Sequence, residues 1–476
     1  GDLFDMFVFF ELMGASAYAL TALKVEDASS LQGGMNFGII NSLGAYIALM
    51  GVGLLYSKTG QLGLPQLGVA LAHQPRDALV IAAFVMVMTG FLVKAAMAPF
   101  HFWLADAHAV APSPVCVLFS GVMVPLGVYA AFRVYWTVFS TVLSAADVRR
   151  TFLVIGVATA LVGMAMCPLQ RNWKRLLAYS TIGHVGLFLV ALGLLTGSGT
   201  AGAAVYIAAH AGVKSALFLI GGVLLAKYGS VDEADLHGKG VQAGAVRWLA
   251  VVGGLALACM PPFGTSLGKA ISEDAGTSAG YQWFPVLFVF VSGLTGGAVL
   301  RMTGRIFFSL GPRPSEASGQ TTGDEERESP PIDRIPVTML APIAILLSGA
   351  LAIGVLPGLH GAAERAAAWF TDASGYRDAA LNRASAAVPR IHAGDWTATG
   401  VAFGFASALL AVGVAAAGIW RQALGRRVAA VRAAARMAET PVALLRKAHS
   451  GHVGDYGAWL MVGLAVLAGF IGLPAR

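Results

Sequence analysis

The chain has 476 residues, of which 57% are hydrophobic and only 12% charged, with a mean hydropathy of +0.71. A soluble domain carries about 25% charged residues, so this composition excludes a water-soluble globule and makes lipid the solvent for much of the surface. The net charge of +7 does not point to nucleic acid, because excess Lys and Arg in a membrane protein mark cytoplasmic loops.

The chain opens on Gly1, without an initiator Met, and passes directly into an apolar run, which reads as a truncated N-terminus. No transit peptide or cleavable signal is visible. A spanning helix needs about 20 mostly apolar residues. About twelve such runs follow in order, near 3–23, 33–56, 78–100, 114–139, 151–168, 175–196, 201–226, 246–270, 283–308, 336–357, 396–420 and 456–474. They are long and continuous and lack the alternation of an outer-membrane barrel, so an all-α polytopic membrane protein is predicted.

Orientation follows from the basic loops. Arg171, Lys174 and Arg175 lie between the fifth and sixth runs, and seven Lys/Arg residues lie in 421–450. Both segments follow odd-numbered spans, so both are expected in the cytoplasm, with residues 1 and 476 on the outer side. Arg149 and Arg150 conflict with this, offset in part by Asp147. Three segments are not spans. Residues 311–334, rich in Pro, Ser, Gly and acidic residues, read as a cytoplasmic loop. Residues 361–395 read as outer-surface helices. The stretch 421–450 reads as a basic amphipathic segment anchored along the cytoplasmic face.

A charge at mid-bilayer costs about 2.5–3.5 kcal/mol on insertion scales, so such residues need a partner, water or a function. Glu11, Lys94, His184, His210, Lys214 and Lys269 all fall inside apolar runs. Tyr206, His210 and Lys214 are spaced i, i+4, i+8 and share one helix face, as a proton-conducting line would need. Two lysines flank helix breakers: Pro99 follows Lys94, and Pro261, Pro262 and Gly264 precede Lys269. Paired broken helices in the two halves of a transporter point to its ion site. For His184 taken alone, a satisfied core histidine is the simpler reading, and Arg133 and Arg301, near span ends, read as snorkelling. Cys116, Cys167 and Cys259 sit apart in apolar runs and read as packing residues, with no metal-ligand or disulfide spacing. No nucleotide-binding or haem motif is visible, so no cofactor is expected on this chain and any redox chemistry would sit in a partner.

At these residues the chain resembles a known family. FVFFELMGASAYAL, LVKAAMAPFHFWLADAHAVAPSPV, RNWKRLLAYSTIGHVG, HAGVKSALFLIGG and MPPFGTSLGK resemble, in order, the glutamate-bearing fifth, broken seventh, tenth, eleventh and broken twelfth helices of the antiporter-like, proton-translocating subunits of respiratory complex I, group 4 hydrogenases and multisubunit sodium/proton antiporters. The motifs cover residues 1–310, and the tail, with HSGHVGDYGAWL, looks most like the large membrane subunit of the hydrogenase-type complexes.

The resemblance implies two inverted five-helix repeats, here 1–139 (lacking the family's first four helices) and 140–310, followed by further helices in 335–476. It implies that Glu11 and Lys94 form the first half's ion pair and that His210, Lys214 and Lys269 form the second half's polar axis; His184 is counted with them as a candidate for the proton pathway. It also implies a bacterial inner-membrane location, other membrane subunits as partners, and protons or sodium as the transported ion. Two departures stand out. Pro125 occupies the place of the family's second lysine, and Ala105 replaces a usual Pro.

Overall fold

The computed structural model describes residues 1–314, 332–382, 391, 394–420, 440, 443–445 and 447–472. Most of the basic stretch 421–450, residues 315–331 of the 311–334 loop, and residues 383–390 and 392–393 lie outside the described residues.

Helices start where a short polar side chain can take the first free backbone N–H groups. Asp2 caps α1 (Leu3–Thr21) and Asp27 caps α2 (Ala28–Thr59), which ends at Gly60 in the left-handed region that glycine tolerates. A short α3 (Leu64–Ala72) leads to α4 (Ala78–Lys94), a break, and α5 (Phe102–Val110). One span is built from α6 (Ser113–Leu118), a π turn, α7 (Val124–Val134) and a second π turn. Then come α8 (Ala145–Met166), α9 (Trp173–Leu192) and α10 (Gly197–Tyr228). A second broken span pairs α11 (Ala245–Leu257) with α12 (Gly264–Ser278). The rest are α13 (Phe284–Phe308), α14 (Val337–Val355), α15 (Pro357–Thr371), α16 (Ala373–Ala380), α17 (Ala398–Ile419) and α18 (Val453–Gly472).

Ten helices among the described residues are long and apolar enough to cross a membrane. The other two of the twelve apolar runs are the broken ones, whose leading helices α4 and α11 are too short to span alone. The protein is therefore an all-α, multi-pass membrane protein.

The two breaks have the same backbone. Ala96 N bonds Val93 O, Met97 N bonds Leu92 O and Phe100 N bonds Met97 O, and each bond recurs 163 residues further on, as Cys259 to Ala256, Met260 to Leu255 and Phe263 to Met260. Ala96 (φ 50°) and Cys259 (φ 59°) hold the same left-handed turn without being glycine. Such strain persists where the surroundings over-determine it, often at functional sites. One break lies in the third span and the other in the eighth, so the two run in opposite directions through the bundle.

Every residue of α9 is buried, which places this helix at the centre of the fold. At one end of the bundle, Gly1 meets Tyr376 of α16, and Arg76 bonds Asp147 and the Ile471 carbonyl. At the other end, Asn36 bonds the Gly451 carbonyl and Arg171 pairs with Asp232. The first and last helices thus bring residues 1 and 471 to the same end, with α15 and α16 beside them.

One sequence expectation is corrected by the structure. Arg301 does not snorkel into water: with Arg305 it pairs with the buried Glu233, at 3.1 and 3.0 Å. Arg133, near the end of its span, reaches α16 and packs over the Tyr376 ring, 4.0 Å from its centroid. Arg149 and Arg150, the exceptions to the loop-charge pattern, act as clamps, donating to the Leu194 and Phe470 carbonyls.

Candidate functional site

Lys94 is the last residue of α4, so its side chain leaves the helix just where the backbone unwinds. Its Nζ lies 3.5 Å from Glu11 Oε1 on α1 and 3.5 Å from the Tyr18 hydroxyl, about two turns further along the same helix. The lysine is 3% exposed and the glutamate 24%. Charges in so dry a place must be compensated, and two opposite charges at this distance each favour the other's ionised form.

The second group is assembled around α9 and α10. Lys214 donates to Ser180 Oγ at 2.5 Å and to the Leu177 carbonyl, both on α9. His184, further along α9, bonds the Tyr206 hydroxyl through Nδ1 at 2.8 Å and Thr295 Oγ1 through Nε2 at 3.0 Å. Its ring stands 4.9 Å from that of His210. Neither nitrogen of His210 has a hydrogen-bond partner among the described residues. The Tyr206 hydroxyl continues to Cys259, 3.1 Å away at the second break. The i, i+4, i+8 face of α10 is thus turned towards α9, with His184 joining two of its members.

Lys269 lies one and a half turns into α12, 1% exposed, and its partner is Glu273, also 1% exposed, at 2.8 Å. Glu273 lies close enough to Tyr206, and both charges close enough to Cys259, to interact electrostatically. Sequence reasoning misses Glu273, although its i+4 spacing from Lys269 is a usable signal.

It also misses His108, which lies inside the motif around the first break. His108 stacks on Phe218 at 4.6 Å, and Lys214 Nζ stands 5.2 Å from the same ring. Ser120 Oγ lies 3.1 Å from His108 Nε2 and 3.0 Å from Thr181 Oγ1, next to the serine that Lys214 holds. Between His108 and the Glu11–Lys94 pair stand rings: Phe119 meets Phe37, which stacks on Trp103 at 4.4 Å and touches Tyr18. Pro125 lines an apolar groove of about 460 Å³ with Tyr129 and Phe370 and adds no charge to this line.

A third polar cluster closes the opposite end. Arg175 pairs with Asp106 at 2.7 Å, and Tyr456 donates to the same carboxylate at 2.8 Å. His449 meets His101, in the first break, with 3.0 Å between their Nε2 atoms. Burial holds the His449 imidazole below its usual pKa. A polar cavity of about 290 Å³, lined by Asn36, Asp106, Arg175 and His449, opens beside them. Among the described residues, no group of three or more His, Cys, Asp or Glu is arranged to hold a metal ion.

The family described as NADH:quinone oxidoreductase/Mrp antiporter, TM matches residues 1–295. The chain belongs to this family. It is 31% identical over 365 residues to NADH-quinone oxidoreductase subunit N of Desulforudis audaxviator, covering 75% of this chain and 70% of the relative. It is 26% identical over 359 residues to a Na(+)/H(+) antiporter subunit of Bacillus subtilis, covering 75% and 69%. Among solved structures, a chain of the Mrp complex from Dietzia sp. DQ12-45-1b superimposes with a TM-score of 0.70 at 26% identity, covering 80% of this chain and 76% of that one.

Proposed function

We propose that this chain is a proton-translocating membrane subunit of a redox-driven complex of the NADH:quinone oxidoreductase or hydrogenase-4-like type. It would act in the bacterial inner membrane together with other membrane subunits. The observation that carries this reading is the series of buried titratable groups at the unwound helices: Glu11 and Lys94 in the first half, His108, Lys214, His210 and His184 in the middle, and Tyr206, Lys269 and Glu273 in the second. A charge in hydrocarbon needs compensation, and the groups from His108 to Glu273 would pass protons through bound water, with the Glu11–Lys94 pair coupled to them electrostatically across the rings.

In this reading, protonation near Lys214 weakens the attraction that keeps the Glu11–Lys94 pair charged, and the ring cluster of Phe37, Trp103 and Phe119 keeps bulk water from short-circuiting the two halves. Residues 311–334 and 421–450 would face the cytoplasm, and residue 1 the outside, by the loop-charge rule. The second reading is a subunit of a cation/proton antiporter or inorganic-carbon uptake system with no electron transfer. It is favoured by the likeness to the Bacillus subtilis antiporter protein and the Mrp complex.

The two readings separate in native inverted vesicles carrying an affinity-tagged chain. Acidification driven by an electron donor, abolished by Lys214→Ala, supports the first. Proton movement that follows an imposed cation gradient, with no donor and no redox subunit co-purifying, refutes it in favour of the second.

A further inference from the structure

We propose that Glu273 is the group that releases the proton leaving Lys269 towards the end of the molecule that carries residue 1; this rests on the proton-translocating reading above. The pair is fully internal, at 2.8 Å and 1% exposure on each side. A buried carboxylate is normally satisfied by several donors, which lower its basicity. Here neither Glu273 oxygen accepts a hydrogen bond from any other described residue, so its basicity is directed at the Lys269 ammonium.

Position completes the argument. α12 starts at the break and runs to Ser278 at that end of the bundle, where Gly280 is exposed. At about 1.5 Å per residue, Glu273 lies ~6 Å nearer that end than Lys269 and ~7.5 Å from the last helical residue. The next residue, Asp274, is only partly buried and accepts from Thr397 Oγ1 at 3.2 Å, on the segment that leads into α17. On the inner side, Tyr206 and Cys259 lie within electrostatic reach and connect to His184.

The first step leaves no unpaired charge in the dry region. An N–H bond of the Lys269 ammonium breaks as an O–H bond forms on Glu273, leaving a neutral amine and a neutral acid. The acid then gives its proton to water at the end of α12 and becomes a carboxylate. The amine takes the next proton from the Tyr206–His184 side, which restores the ion pair. A residue that served only as a counter-ion would stabilise Lys269 without exchanging protons.

The test uses the whole complex in native vesicles, with Glu273→Gln, Glu273→Asp and, as reference, Lys214→Ala. Glu273→Gln should cut proton transport per assembled complex by about a hundredfold, the range of a lost acid–base group. Glu273→Asp should recover much of the rate. In the wild type, transport should slow as pH falls on the release side, because the carboxylate is reprotonated from there, and Glu273→Gln should lose that dependence. Wild-type rate and pH profile in Glu273→Gln, with Lys214→Ala inactive, overturns this inference alone. If Lys214→Ala is also fully active, the proton-translocating reading falls with it. If Glu273→Gln does not assemble, Glu273→Asp decides: a release-side profile displaced from the wild type supports the role, and an unmoved one overturns it.

Discussion

The breaks at 95–101 and 258–263 repeat the same three backbone hydrogen bonds, yet Lys94 closes the helix before its break while Lys269 sits in the helix after its own. Lys94 therefore finds its carboxylate on another helix, at 3.5 Å, and that carboxylate is 24% exposed. Lys269 finds its carboxylate four residues along the same helix, at 2.8 Å and almost completely buried. A pair shared between two helices can be loosened by a small relative shift of α1 and α4. A pair within one helix is insensitive to such a shift, because the helix holds the two backbone positions at a constant spacing. The same backbone device thus goes with a pair shared between two helices in one half and a pair held within one helix in the other.

The largest effect expected from this contrast is at Lys269. Removing one member of a buried pair costs about 3–5 kcal/mol because the other is stranded. Lys269→Ala should abolish transport and also lower the yield of assembled complex, since Glu273 has no other donor among the described residues. From the sequence, Lys269→Ala is expected to reduce transport while leaving assembly largely intact, because Glu273 is not recognised there as its buried partner. Normal complex yield on native gels would show that Glu273 takes up a proton without penalty and would undo the fixed-pair half of the comparison.

A smaller stability effect is expected at the first pair. Glu11→Gln and Lys94→Met should each abolish transport. The double variant should assemble better than either single one and still not pump. Partial access to solvent lets Glu11 be hydrated when Lys94 is gone, so the assembly defect of Lys94→Met should be the milder of the two lysine lesions. Quantifying assembled complex by affinity-tag recovery, with transport measured in the same vesicles, checks the order. Wild-type transport by either single variant removes the pair from the pathway.

Much of this contrast is legible in the sequence, and its decisive parts are not. Pro99 and Pro261–Pro262 mark both breaks, because proline removes a backbone donor wherever it falls. The spacing of Tyr206, His210 and Lys214 places them on one face of α10. Glu273 escapes a hydropathy reading because the apolar run ends near 270, whereas α12 continues to Ser278 through the polar stretch ISEDAGTS. Packing against α10 and α17, and against Phe284 at the start of α13, and not hydropathy, holds that stretch inside. The His101–His449 contact joins positions 348 residues apart, and Arg301 meets Glu233 across 68, so no local pattern announces either. Pairings of this kind are set by tertiary packing.

The smallest expected effect belongs to the Lys58–Asp77 ion pair, which joins α2 to the N-cap of α4 at the edge of the bundle and supplies an exposed control for the two buried pairs. Asp77 also caps α4 by accepting from Val80 N at 3.0 Å. Its side chain is 42% exposed, so water and salt screen the interaction. The hydrogen bond from Lys58 holds the Asp77 carboxyl below its usual range, helped by the Val80 amide, against a small opposing effect of burial. A carboxyl with a depressed folded-state pKa contributes stability above its unfolded value and loses it as pH falls through the folded one. Asp77→Asn should therefore lower the thermal midpoint slightly at neutral pH, and the difference from wild type should shrink in acid and in high salt. Transport should be unchanged, because the pair lies outside the buried line. Melting curves of detergent-solubilised complex at two pH values and two salt concentrations decide the point. A transport defect in Asp77→Asn comparable with that of Lys94→Met would mean that exposure does not separate structural pairs from functional ones here.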